Sequence, residues 1–504
     1  MYERETDVTE ALPQNSTASK EALIGAKGPQ PATEKSRPVR KGRRRRGARP
    51  GEPDLLCYPY TDTGNAERLV HLFGAQIRYC PEMKKWLVWD FKRWVPDTSG
   101  KARRLAKITV RNFYAQAAGI DDEKAREAAE GFARHSESAG SIRAMLECAQ
   151  YEDGIAICAK ELDSDPWLLN CLDGTIDLRT GQLRPHRQQD LITKLCPVKY
   201  DASAPCPRFM QFLDRILGAN PALIAYVQRV FGYALTGDVN EKACFCLFGE
   251  GNNGKTTLLE LFRYIMGDYA AQVMIDTLMT RRSQESNASL ADLADLRGAR
   301  FVTTSETEEG QRLAEGKLKY VTGMSEIKRC RKYENPITFP PTHKIFMDAN
   351  HRPVVRGADS AIWSRLKLIP FTITIPKNEM DAHLLDKLKA EAPGVLAWAV
   401  KGGLDWQREG LVEPQEVLAS VATWKCEDDP FKEFFEDRCE FSAAEATPVT
   451  NMWSEFCVWA EENGIKYPSR TRLYERLRLR GCSKAVERDE SGKQVRCWKG
   501  VKLI

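Results

Sequence analysis

Between Ala243 and Phe262 the chain passes through a buried-strand pattern, a glycine-rich turn and a helical pattern, and that order leaves few folds open. Ala243-Cys-Phe-Cys-Leu-Phe248 is continuously apolar, as a strand covered on both faces must be. It runs straight into Gly249-Glu250-Gly251-Asn252-Asn253-Gly254-Lys255-Thr256, a complete G-x-x-x-x-G-K-[ST]. The helical Thr257-Leu-Leu-Glu-Leu-Phe262 follows directly. Glycines let the backbone wrap a polyphosphate, and the N–H groups opening the helix face the anion. Lys255 can reach the β- and γ-phosphates, and the Thr256 hydroxyl can ligate Mg²⁺. Gly249 to Thr257 are therefore the expected nucleotide site, with ATP as ligand and Mg²⁺ as its metal. The flanking strand and helix, more than the motif itself, carry this expectation.

Three more strand patterns follow, each ending in a residue of a different chemistry. Arg300-Phe-Val-Thr-Thr-Ser-Glu306 ends in an acid, placed where an attacking water is oriented and a metal is held, so Glu306 is the candidate catalytic acid. Glu308 and Glu309 fit a solvated acidic loop better. His343-Lys-Ile-Phe-Met-Asp-Ala349 ends in Asn350, whose neutral amide can hydrogen-bond the γ-phosphate or the water without adding negative charge. A lone Asn at a strand end is more often a turn residue; third in this order it reads as a sensor. Asp359-Ser-Ala-Ile-Trp-Ser-Arg-Leu-Lys-Leu-Ile-Pro370 sets Arg365 at the lip of a further strand, where a guanidinium can reach the ATP of a neighbouring subunit. An intrachain salt bridge is the alternative. Between the first and second of these strands, Lys317 to Gly323 has helical spacing, and Ile327-Lys-Arg-Cys-Arg-Lys-Tyr-Glu-Asn-Pro336 reads as a hairpin dense in Lys328, Arg329, Arg331 and Lys332. Such a hairpin can hold phosphates of a single strand; a solvated basic loop is the plainer reading.

Composition narrows the rest. The 504 residues carry a formal charge of +5, but Arg37 to Arg49 alone holds eight basic residues and no acid, so the remaining chain is net acidic. Nucleic-acid contact by the folded body must therefore come from local patches. Residues 1–52, rich in Glu, Lys, Pro, Gly and Ser, are expected to be disordered. Their basic run is either a counter-ion-releasing arm or an inert tail. The 15 cysteines include no C-x-x-C pair, which favours buried free thiols over a zinc site. No apolar run is long enough to cross a bilayer and the N-terminus is acidic, so no membrane partner and a cytoplasmic location are expected. Gln76 to Asp97 suggests two short hairpins, Lys107 to Gln150 helices, and Asp173-Gly174 a hairpin turn. Leu384 to Trp406 and Glu416 to Trp424 read as helices of a lid. From Asp429 onward, three helices and a strand pair around Asp-Glu-Ser-Gly492 suggest a winged helix-turn-helix. Its third helix carries Arg470, Arg472, Arg476, Arg478 and Arg480, with Leu473 and Leu477 inward. DNA binding through Arg472 and Arg476 competes here with docking of a protein.

Taken in order, the glycine-rich motif, SETEEG, KLKYVTG with its basic hairpin, THKIFMDANHRP and AIWSRLKLIPF resemble the superfamily 3 helicase module. More closely they resemble the satellite-phage and plasmid primase–helicase family, related to the poxvirus primase–helicases. The likeness extends upstream to TDTGNAERLV and PWLLNCLDGTIDLRTG, so it covers roughly Asp62 to the C-terminus. It implies an α/β fold with an AAA+-like P-loop NTPase core, an α/β N-terminal domain and a C-terminal winged helix. It also implies a homo-hexameric ring that hydrolyses ATP and moves on single-stranded and forked DNA during phage, prophage or plasmid replication. Origin DNA and a separate primase are the further partners it suggests. By position, Gly249 to Thr257 bind nucleotide and Lys255, Glu306, Asn350 and Arg365 are catalytic. Lys328, Arg329, Arg331 and Lys332 are the hairpin contacts. Where many members carry a primase domain, only the basic tail precedes Tyr58, so priming in cis is not expected. Where the general pattern has a Mg²⁺-binding acid just before the catalytic one, this chain has Ser305, which leaves the metal to Thr256 with Glu306 or Glu308.

The expected organisation is a tail (1–52), an N-terminal domain (53–205), an ATPase domain (206–376), a helical lid (377–426) and a winged helix (427–504). Two rival functions fit part of the pattern: a P-loop ATPase that packages or remodels DNA without separating strands, and an origin-binding or defence scaffold that uses ATP as an assembly switch.

Overall fold

The computed structural model describes residues 53–280, 296–304, 310–323, 326–329, 337–355, 360–427, 430–463, 470–488 and 492–504. Its centre is a five-stranded parallel sheet. The N-terminal part consists of α1 (Asp62–Phe73), the antiparallel meander β1 (Ile77–Cys80), β2 (Lys85–Trp89) and β3 (Trp94–Pro96), and helices α2 (Lys101–Ala117), α3 (Glu123–Ser136) and α4 (Ala139–Ala149). Leu69, Ile77, Val88, Leu105, Val110, Ile142 and Met145 meet in its core. A second meander, β4 (Leu168–Asn170), β5 (Thr175–Asp177) and β6 (Gln182–Arg184), turns at Asp173-Gly174, where a Cβ on Gly174 would lie 2.5 Å from the Arg184 carbonyl oxygen. Helices α5 (Pro207–Ile216) and α6 (Pro221–Leu235) lead into the central sheet.

That sheet is assembled from β7 (Cys244–Phe248), then α7 (Lys255–Met266), β8 (Ala270–Val273), β9 (Phe301–Thr304), α8 (Glu315–Gly323), the pair β10 (Ile327–Arg329) and β11 (Ile337–Phe339), β12 (Lys344–Ala349), the short α9 (Ser360–Trp363) and β13 (Leu366–Pro370). The spatial order is β13-β7-β12-β9-β8, every pair parallel. The period of two along each strand divides the apolar residues between two cores. Phe245, Leu247, Phe301, Phe346 and Ile369 face α5, α6 and α7. Cys244, Cys246, Val302, Ile345, Met347 and Leu368 face α8, Trp363 and the β10–β11 pair. Burial on both sides is what makes these strands continuously apolar in sequence.

Two cations are buried at the amino ends of the strands. Arg300 donates to the carbonyls of Leu235 (2.7 Å) and Leu168 (2.8 Å), and Lys344 donates to those of Thr236 and Asp238. Burial pushes both pKa values down. These bonds tie the second meander and the end of α6 to the sheet. Packing is likewise continuous across residue 205, since Leu169, Ile176, Cys196 and Val198 share one core with α5, α6 and α7.

Helices α10 (Leu384–Ala390), α11 (Ala392–Glu409) and α12 (Gln415–Glu427) follow. Read from sequence, Leu384 to Trp406 is a single helix; the chain breaks at Glu391, whose carboxylate accepts from the backbone N–H groups of Arg208 and Phe209 at the start of α5. α11 crosses α6 glycine to glycine: a Cβ on Gly232 would stand 2.0 Å from Gly403 N. α11 is thus a wall of the central core, not a cover set outside it. The C-terminal unit contains α13 (Pro430–Arg438), β14 (Cys439–Glu440), β15 (Ala446–Pro448), α14 (Val449–Glu462), α15 (Arg470–Leu479), β16 (Ser483–Arg488), β17 (Gln494–Lys499) and β18 (Lys502–Leu503). Its strands form an antiparallel sheet β15-β17-β16 beside a β14–β18 pair. Among the described residues no helix is long and apolar enough to cross a membrane.

Candidate nucleotide-binding site

In a parallel sheet the loops that leave the carboxyl ends of the strands converge where the strand order switches direction. Here the chain leaves β7, returns to its neighbour β12, and finally adds β13 on the far side of β7. The Gly249–Gly254 loop leaves the end of β7 and Asn350 the end of β12, so the two strands lying side by side bring them together. The loop is pinned by its own backbone: Gly249 N–H donates to the Ala349 carbonyl (3.2 Å) and Ile375 N–H to that of Asn252 (2.7 Å). Asn252 (φ +62°) and Gly254 (φ +82°) take left-handed conformations, and Gly254 is the N-cap of α7. Gly249 has no room for a side chain, because a Cβ would lie 2.2 Å from the Phe371 carbonyl oxygen.

Lys255 is buried and its ammonium folds back into the loop. Its Nζ donates to Gly249 O (2.6 Å), Asn253 Oδ1 (3.1 Å) and Asn350 Oδ1 (2.9 Å). Asn253, also buried, is held by a bond from its Nδ2 to the Glu250 carbonyl. The side chain thus gathers the loop and the candidate sensor around one positive charge. Glu250, Gly251 and Thr256 are exposed, while Thr257 is half-buried in the first turn of α7.

An acid not singled out by sequence completes this cluster. Asp348, next to last in β12, is buried and accepts from Thr256 Oγ1 at 2.8 Å through Oδ2; its Oδ1 is 3.8 Å from Lys255 Nζ. The signal was present, since an aspartate inside the apolar run Lys-Ile-Phe-Met-Asp-Ala is a charge on a strand buried along its length. A hydroxyl and a carboxylate form the kind of hard oxygen donor set that suits Mg²⁺. The site therefore fits both a polyphosphate and its metal.

The other candidates fall in different places. Glu306, Glu308, Arg331 and Lys332 lie outside the described residues, as does residue 305. Lys328 and Arg329 are on β10, which pairs antiparallel with β11 at Ile327↔Phe339 and Arg329↔Ile337. Arg365 immediately precedes β13, and its carbonyl accepts from Cys244 N–H at the start of β7. It therefore stands at the opposite end of the sheet from its own loop, a five-residue strand of roughly 16 Å away. Its Nη1 donates to the Ala361 carbonyl (2.7 Å), and a Cβ on Gly323 would approach its Nη2 to 2.9 Å. In α15, Leu473 and Leu477 are buried, while Arg472, Arg476 and Arg478 are exposed; the Arg480 guanidinium lies over the rings of Phe435 and Phe441.

Residues 66–218 match the family described as D5 N terminal like, and residues 247–365 match a family of unknown function, DUF5906. The chain is 26% identical over 399 residues to the mimivirus protein named "Putative helicase L207/L206", covering 72% of this chain and 41% of that one. It is 22% identical to the Frog virus 3 protein named "Putative helicase 022R", covering 60% and 39%. It is also 22% identical to the African swine fever virus protein named "Putative primase C962R", covering 41% and 22%. The chain thus matches less than half the length of each of these relatives. Among solved structures, the apo C-terminal region of NrS-1 aligns with a TM-score of 0.47 at 11% identity, over 86% of this chain and 97% of that one.

Proposed function

Because this chain belongs to the D5-like primase–helicase family, we propose that it is an ATP-driven DNA helicase with a P-loop core, which assembles as a hexameric ring and moves along single-stranded DNA during replication of a phage, prophage or plasmid. The observation that carries this reading is the convergence of Lys255, Thr256 and Asn350 at the carboxyl ends of two adjacent parallel strands. Its terms follow from the chemistry of the side chains. Lys255 exchanges the loop carbonyl and Asn350 for the β- and γ-phosphates of ATP, and the backbone N–H groups at the start of α7 receive the remaining charge. Bound Mg²⁺ would be held by Thr256 with Glu306 and would neutralise charge on the phosphate oxygens. The Glu306 carboxylate accepts a proton as water attacks the γ-phosphorus in line and the bond to the β-phosphate oxygen breaks, leaving ADP and phosphate. Asn350, released from Lys255, is free to hydrogen-bond the γ-phosphate or that water.

Arg365 cannot serve its own loop from the far end of the sheet, which supports a role at the nucleotide of the neighbouring subunit. Lys328, Arg329, Arg331 and Lys332 grip the strand's phosphates. The C-terminal unit is a winged helix that holds duplex through Arg472 and Arg476.

The test joins two measurements on the full chain: the ATPase rate and the mass of the assembly, each with and without single-stranded DNA, and strand release from a forked duplex with ATP. A helicase shows DNA-stimulated hydrolysis, a ring mass and a released strand. Hydrolysis unchanged by DNA, with no strand released, overturns the reading.

A further inference from the structure

We propose that Asp348 is a protein ligand of the Mg²⁺ that accompanies the nucleotide, working with Thr256 from the strand that also carries Asn350. This rests on the nucleotide reading of the Gly249–Thr256 loop and goes beyond it by adding a carboxylate besides that of Glu306. In the usual arrangement that acid comes from the strand ending in the catalytic glutamate, one residue before it. Here that position is Ser305, a neutral side chain and a poor ligand for a cation that favours carboxylates and phosphates. The carboxylate comes instead from the neighbouring strand. β12 pairs with β9 as far as Met347↔Thr304 and with β7 at Asp348↔Leu247, so Asp348 lies one residue beyond the last pair with the glutamate strand and beside the strand that feeds the loop.

Two observations point to a ligand and away from a purely structural acid. Asp348 is 5% exposed in a strand whose six residues are all buried, an environment that disfavours a charge unless a cation faces it. Two groups it faces are ones the nucleotide recruits: the Thr256 hydroxyl at 2.8 Å and the Lys255 ammonium at 3.8 Å. When phosphates draw Lys255 towards them, the attraction between its ammonium and the buried carboxylate weakens, and a divalent cation at Asp348 and Thr256 offsets that loss. Mg²⁺ commonly takes only one or two carboxylates besides phosphate oxygens and water, and a hydroxyl with one aspartate meets that need.

The experiment uses the full chain and a fluorescent ADP as probe, titrated in EDTA and in Mg²⁺, with Mn²⁺ binding in the presence of ADP followed by electron paramagnetic resonance. Asp348→Asn keeps the volume and an acceptor for Thr256 but removes the charge. It should still bind ADP in EDTA, lose most of the tightening that Mg²⁺ gives, and bind Mn²⁺ about 10–100-fold more weakly. Should the Asn protein fail to fold, Asp348→Ser, smaller than Asp, takes its place under the same expectation. If either folded variant keeps the wild-type Mg²⁺ dependence and Mn²⁺ affinity, Asp348 only positions Thr256 and the proposal is overturned. If the wild type binds no ADP under any condition, the nucleotide reading of the loop fails, and the metal ligand with it.

Discussion

Substituting Gly249 by alanine should disable the site without unfolding the protein, and the size of the effect can be worked from the loop's contacts. A Cβ at this position would lie 2.2 Å from the Phe371 carbonyl oxygen and 2.5 Å from Asn253 Nδ2, where real Cβ contacts stay above 3.0 Å. The carbonyl cannot yield easily, since the N–H of the same residue is bonded to Phe248 O at 2.7 Å. The loop must therefore open by about 0.8 Å, the difference between 3.0 and 2.2 Å. Gly249 O is also an acceptor for Lys255 Nζ at 2.6 Å, and Asn253 is another, so the shift carries off two of the three groups that position the ammonium. Displacing a reacting group by about 1 Å costs on the order of 100-fold in rate, which is the loss expected in kcat/KM for ATP. Gly251→Ala is the internal comparison. Nothing lies within 4 Å of a Cβ there and the position contributes backbone alone, so its effect should stay within about threefold. Circular dichroism and thermal unfolding establish that both variants are folded, and a coupled ATPase assay reads the rates. A folded Gly249→Ala protein with a near wild-type rate would refute the close approach of the loop to Phe371 as the reason for glycine.

Further outcomes follow from other parts of the structure. Arg365→Ala and Glu306→Gln proteins, each inactive in ATP hydrolysis, should regain partial activity when mixed, because some mixed interfaces contain one intact glutamate and one intact arginine; full ATPase by a monomeric Arg365→Ala protein rules out action between subunits. Replacing Lys328 and Arg329 by Ala should leave basal hydrolysis and abolish DNA stimulation and unwinding together, whereas deleting residues 1–52 should weaken DNA affinity and flatten its salt dependence with stimulation intact at saturating DNA; normal unwinding by the hairpin variant is the contrary result. Burial, aided by the charge of Lys344, holds the His343 pKa down at about 4. An unfolded histidine near 6.5 binds a proton first, so stability is fully present above pH 6.5 and falls by about 3 kcal/mol as the pH drops to 4. Urea unfolding of wild type and His343→Gln across that range should show the difference between them change by that order, and a constant difference contradicts it.

How much of this was legible in sequence depended on whether the determinant was local. β7, β9, β12 and β13 could be read because burial on both faces writes an uninterrupted apolar run. The order β13-β7-β12-β9-β8 could not, because pairing between strands far apart in the chain leaves no local mark. β8, Ala270–Val273, is an edge strand with a single buried residue and carries no strong pattern. The break between α10 and α11 was hidden for a similar reason: Glu391 is held by backbone donors of Arg208 and Phe209, nearly two hundred residues away. In the candidate site, the motif spacing singled out Lys255 and Thr256. Asp348 escaped because a strand judged by its apolar majority conceals the acid within it, whose partners become visible only when β12 is set beside β7.

The far end of the sheet ties two proposed roles together. Arg365 lies against Gly323, the last residue of α8, close enough that any side chain there would press on the guanidinium. Four residues after Gly323 begins β10, the strand of Lys328 and Arg329. The arginine proposed to serve a neighbour's nucleotide and the strand proposed to hold DNA thus both lie next to one helix terminus, the first in space and the second along the chain. α8 itself is anchored by Leu318 and Val321 in the core beneath β9 and β12, and the candidate sensor follows the second of these strands. One packed helix therefore touches both strands and, at Gly323, Arg365. Such contact becomes coupling only where the element has two discrete arrangements that both sites bias. Lys255 supplies a reason for two, because its ammonium is bound to Asn350 in this structure and must release it to meet a phosphate.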